Sequence, residues 1–144
     1  AAMEVDPRKR VALFLHSGDY DRLHQAAAIA AAATASGRDV QVFFFWWALD
    51  RLLRGGLHEP AFRPELAPAA AIEAAEDAFD GGYPTAAALF EAARATGRCT
   101  FYACSASAGL LGRRPDEIAA HVDQVVGWSA ILGLTAGVVD RFYL

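Results

Sequence analysis

Short apolar runs alternate with alanine-rich helical segments along this chain, and that alternation restricts the fold more than any other feature. Arg10–Leu15 (RVALFL) is a continuous apolar run that ends in His16-Ser17-Gly18-Asp19. Runs of this kind read as strands buried on both faces. Asp21–Ser36 follows, with Leu23, Ala26, Ala27, Ala30 and Ala33 at helical spacing; Asp19 or Asp21 can cap its start and Gly37 its end. Val40–Trp46 is β-branched and aromatic, a second strand.

The middle is less regular. Ala48–Arg54 predicts a short helix stopped by Gly55-Gly56, Leu57–Pro68 a proline-containing loop, and Ala69–Phe79 a helix with Glu73, Glu76 and Asp77 outward. Thr85–Thr96 is a further amphipathic helix, with Pro84 at its start and Gly97 after its end. Arg98–Ala103 is the third strand, followed by Cys104-Ser105-Ala106-Ser107. Pro115 opens a helix to about Ala120, Val122–Val126 reads as a fourth strand, Trp128–Thr135 as a helix and Val138–Tyr143 as a fifth strand. The valines near Gly127 leave a second possibility open, one helix from Asp116 to Val126. Strands separated by helices form a parallel sheet covered on both faces. The expectation is one domain over residues 1–144, a three-layer α/β/α sandwich with a mainly parallel five-stranded sheet.

Charge and composition exclude several classes. The net charge is −4 and no long basic run occurs, which argues against nucleic acid as a partner. The apolar run Val40–Leu49 is far too short to span a bilayer as a helix, and no basic-then-apolar leader opens the chain, so no membrane association and a cytoplasmic location are expected. No glycine-rich dinucleotide or phosphate loop, no C-x-x-C and no G-x-S-x-G elbow is present. His58 lacks ligand spacing to any Cys or carboxylate, so neither a metal nor a cofactor is expected.

The chemistry therefore centres on the ends of strands, where ligands gather in open α/β sheets. Cys104 ends the third strand ahead of small residues. It has two readings: an inert, buried structural thiol, or a thiolate stabilised by the N–H groups of a following helix, with a lowered pKa. Cys99 opens the same strand, five residues earlier. At about 3.3 Å per residue the two lie ~16 Å apart on opposite faces, beyond disulfide reach. His16, after the first strand, can reach the Cys104 mouth as a base or anion ligand, or serve only as a surface histidine. Ser17, Gly18 and Asp19 can shape the pocket, Trp46 can line it, and Ser105 and Ser107 can either bond the sulfur or cap the next helix.

The segment Phe101-Tyr102-Ala103-Cys104-Ser105-Ala106-Ser107 resembles the cysteine segment of the DsrE/DsrF-like sulfur-relay family. The opening Val11-Ala12-Leu13-Phe14-Leu15 with its alanine-rich helix, the aromatic second strand and the closing Val122–Gly127 segment with the final strand are similar as well. The resemblance implies a persulfide carried on Cys104, sulfur donor and acceptor proteins as partners, and a homo-trimer or homo-hexamer. A physical motive for association is the aromatic group Trp46, Trp47, Phe62, Phe79 and Tyr83 around the irregular middle. Two other functions compete: a non-catalytic module that binds a small ligand or a partner, and a redox thiol enzyme whose resolving cysteine comes from another subunit.

Overall fold

A computed structural model describes residues 5–144. Five strands form one sheet in the order β4-β3-β2-β1-β5, and every pairing is parallel. The elements in chain order are β1 (Arg10–Leu15), α1 (Tyr20–Ala35), β2 (Asp39–Phe44), α2 (Trp46–Leu53), α3 (Ala69–Asp80), α4 (Ala86–Ala95), β3 (Cys99–Cys104), α5 (Ser105–Leu110), α6 (Pro115–Ala119), β4 (Gln124–Val126), α7 (Trp128–Leu134) and β5 (Asp140–Tyr143). The three-layer, parallel α/β/α architecture expected from the alternation is the one observed.

Strand order explains how the helices divide between the two faces. The chain steps β1, β2, β3, β4 in one direction and then returns across the sheet to place β5 beside β1. Right-handed crossovers put connections that step one way on one face and the return on the other. The first face accordingly carries a large core: Leu23, Ala26, Ala27 and Ala30 of α1, Leu49 of α2, and Phe90 of α4 pack on Val11, Leu13, Val42, Phe44 and Phe101. Among the described residues the second face is covered by α7 and the segment that follows it, with Ile131 and Val138 over Ala12, Phe14, Phe43 and Tyr102.

On the second face, side chains in register across four strands form an aromatic row. Tyr143 pairs with Phe14, Phe14 with Phe43, and Phe43 with Tyr102. Ring centroids along the row are 4.8, 5.3 and 4.8 Å apart, with planes within 16° of parallel. Each such contact contributes about 0.5–1.5 kcal/mol beyond burial. Gln41 lies buried on β2, and its Nε2 donates to the Leu134 carbonyl, which ties the end of α7 to the sheet.

Tyr20, at the first turn of α1, fixes the first face. Its buried hydroxyl donates to the Leu57 carbonyl (3.0 Å) and accepts from the Ala86 N–H (2.9 Å), joining α1, the turn at Gly56–His58 and the start of α4. Arg51 of α2 donates to the carbonyls of Gly18, Gly56 and Glu59.

The packing corrects some details of the sequence reading and decides between others. Asp19 sits at the N-cap position of α1 but makes no capping bond, because Arg63 takes its carboxylate. The Asp116–Val126 stretch is not one helix. Asp123 exchanges two bonds with Phe101, N–H to O at 2.9 Å and Oδ2 from N–H at 2.8 Å, which starts β4. Phe62 and Phe79 do not form outer aromatic surface. Both pack edge-on against Tyr20, and Phe79 also meets His24.

Candidate functional site

The turns after β3 and β4 leave the sheet toward opposite faces. β3 passes directly into α5, whose Ala108 joins the first core, whereas β4 passes through Gly127 into α7 on the second face. Adjacent strands whose connections part this way open a crevice at their carboxyl ends. A cavity of about 630 Å³ lies there.

Its floor is Phe14, Phe45 and Cys104. Cys104 is the last residue of β3 and the N-cap residue of α5, and it is 3% exposed. Trp128 of α7 and Tyr143 of β5 form aromatic walls, with Ser107 and Leu110 of α5 beside them. Trp128 lies over Phe45, centroids 5.1 Å apart with planes 17° from parallel, and its plane is 4° from that of Phe14. His16, Ser17, Asp19 and Arg22, from the β1–α1 connection and the first turn of α1, complete the lining together with Trp46 and Leu144. The Leu144 carbonyl accepts from the N–H groups of His16 (2.7 Å) and Ser17 (3.3 Å), which holds the end of β5 against the β1 turn.

Trp46 carries backbone strain at this site. Its φ is +43°, a left-handed conformation that bulky residues rarely adopt. Such a geometry costs about 1–3 kcal/mol and persists only where surrounding bonds fix it. Here β2 turns into α2 through the single residue Phe45, and the elbow is anchored to the end of β1. The Phe45 N–H donates to the Leu15 carbonyl (2.9 Å) and the Ala48 N–H to that of His16 (3.1 Å). Gly18 makes the same junction possible from the other side: a Cβ there would sit 3.0 Å from the Trp47 carbonyl oxygen.

Of the residues singled out from sequence, Cys104, His16, Ser17, Asp19, Trp46 and Ser107 converge on this cavity. Gly18 lies in the neighbouring depression beside Trp47 and Arg51, and Ser105 is exposed outside the lining. Cys99 is on the other face, in the first core, and both thiols are free. Burial pushes the Cys99 thiol up to about 12, with the Arg94 charge pulling the other way. Among the described residues, no three His, Cys, Asp or Glu side chains are grouped to hold a metal.

Sequence reasoning missed Phe14, Arg22, Trp128 and Tyr143. The period-two alternation along β1 marks Phe14 as facing away from Val11, Leu13 and Leu15. Nothing local marks Trp128, Tyr143 or Arg22, which meet the cavity only through strand order and the direction of α1.

The fold and the cavity define an open parallel α/β protein with a thiol at the floor of an aromatic-walled crevice. No protein-family model matches the chain, and no curated protein matches it either.

Proposed function

We propose that the protein is a sulfur carrier of the DsrE/DsrF-like kind, in which Cys104 holds sulfane sulfur as a persulfide and passes it to another thiol. The observation that carries this reading is the position of Cys104, a free thiol on the floor of the carboxyl-edge cavity. The Cys104 thiolate attacks the terminal sulfur of a donor persulfide, the donor's S–S bond breaks, and the donor leaves as a thiolate. The reverse exchange with an acceptor thiolate returns Cys104 to its starting state, with no net oxidation. The separation of Cys99 onto the other face favours carriage over dithiol redox cycling.

Sulfur donor and acceptor proteins are the partners this reading requires, and a cytoplasmic homo-oligomer its setting. Exposed Leu132 and Val139 flank the thinly covered second face and give association a surface.

The test is intact mass after incubation with a sulfane-sulfur donor. Wild type gains one sulfur atom and Cys104→Ser gains none. Loading that persists in Cys104→Ser moves the site elsewhere. The near-complete burial of Cys104 favours a second reading, a non-catalytic binding module, and the absence of any loading in folded wild type selects it.

A further inference from the structure

Arg22 lines the cavity and makes no side-chain hydrogen bond or ion pair among the described residues. Every other arginine except Arg10 is bonded to a carboxylate or a backbone carbonyl. The carboxylate that shares the lining with Arg22, that of Asp19, is held by both Arg63 Nε (2.7 Å) and Nη2 (2.9 Å). Arg22, exposed on the first turn of α1, adds to the positive charge around Asp19 but makes no direct pair with it, so its guanidinium donors face the cavity mouth unbonded. Guanidinium groups pair with carboxylates by two parallel hydrogen bonds, which makes an organic acid a fitting partner.

The rest of the cavity is aromatic. Phe14, Phe45, Trp128 and Tyr143 present nearly parallel rings, with planes 4–18° apart. The outer two are the accessible ones: Trp128 is 50% and Tyr143 67% exposed. Parallel, partly open rings leave π faces on which another planar ring can stack. The volume of about 630 Å³ is in the range of small-molecule sites and far exceeds what one added sulfur atom fills.

We infer that this cavity binds a small aromatic carboxylate, its ring against Trp128 and Tyr143 and its carboxylate on Arg22. The inference goes beyond sulfur carriage. It needs the cavity and its cation, and it holds whether or not Cys104 is loaded.

The experiment is calorimetric titration of the full chain with 2-naphthoate, its neutral analogue 2-naphthylmethanol, and cyclohexanecarboxylate. Wild type binds 2-naphthoate more tightly than either analogue. Arg22→Gln weakens 2-naphthoate about tenfold, the scale of one charge-assisted contact, and leaves 2-naphthylmethanol unchanged. Arg22→Lys restores part of the loss. Trp128→Ala, with melting checked to establish that it folds, weakens both aromatic probes. Equal affinity for acid and alcohol, an Arg22→Gln variant that binds as wild type does, or no heat for 2-naphthoate at about 1 mM overturns the inference. These readouts contain no sulfur donor, and the mass experiment contains no aromatic acid, so either proposal can fail while the other stands.

Discussion

Cys99 and Cys104 begin and end the same strand, yet their side chains lie on opposite faces of the sheet, Cys99 in the α1–α4 core and Cys104 beneath α7. Five steps along a strand is an odd number, and side chains alternate faces at every step. Cys104 borders the cavity, whereas the pKa of Cys99 is raised to about 12 by burial.

Thiol labelling should therefore separate the two. With iodoacetamide at neutral pH, peptide mapping is expected to find Cys104 modified first and Cys99 only after denaturation. Equal rates in the folded protein would remove the distinction. No oxidation condition that keeps the fold should yield an intrachain Cys99–Cys104 disulfide, which non-reducing peptide mapping can check.

Stability at alkaline pH should carry the Cys99 signature. Its folded pKa, about 12, lies above its ordinary value of 9.0, so the folded state retains a proton that the unfolded state releases. The stabilisation is fully present below pH 9.0 and is lost as pH rises through about 12. Urea melts from pH 8 upward should show a midpoint that falls more steeply for wild type than for Cys99→Ala. Parallel curves would exclude Cys99 as the titrating group.

Tyr20→Phe should destabilise the fold without changing its volume. Removing the hydroxyl leaves the Leu57 carbonyl and the Ala86 N–H without their buried partner. The expected cost is about 1–3 kcal/mol, read from the urea midpoint. A midpoint unchanged from wild type would mean that water takes over both bonds.

Gly18→Ala should act on the site through the backbone. The new Cβ meets the Trp47 carbonyl oxygen at 3.0 Å and the Trp47 Cβ at 3.2 Å. Neither can move without shifting the strained Trp46 elbow. A loss of about 1–3 kcal/mol is expected, together with a shift in tryptophan emission. Wild-type melting and an unchanged spectrum would show that the elbow yields freely.

Much of the fold is legible in the local pattern. The segment Arg10–Leu15 is β1 residue for residue: after Arg10 at the half-buried start come five buried apolar residues, as a strand covered on both faces requires. Pro84 and Thr85 mark the start of α4 through fixed φ and a side-chain cap to the Ala88 N–H, and Gly97 ends it at φ +76°. The opposite faces of Cys99 and Cys104 follow from parity alone, and strand polarity puts Cys104 with His16 at the carboxyl edge.

What the sequence by itself determined is therefore the succession of elements, their polarity and the face to which each strand residue turns. These depend on interactions within a few residues. Only the tertiary structure decided that β5 returns beside β1, that α7 packs on the second face, and that Tyr143, Phe14, Trp128 and Arg22 line one cavity with Cys104. The strained elbow at Trp46 belongs with these, since bonds to the end of β1 hold it and no local preference for Trp predicts a positive φ. The physical reason is that strand order and crossover side are set by which apolar faces can be buried together, a property of the whole chain that no short window contains.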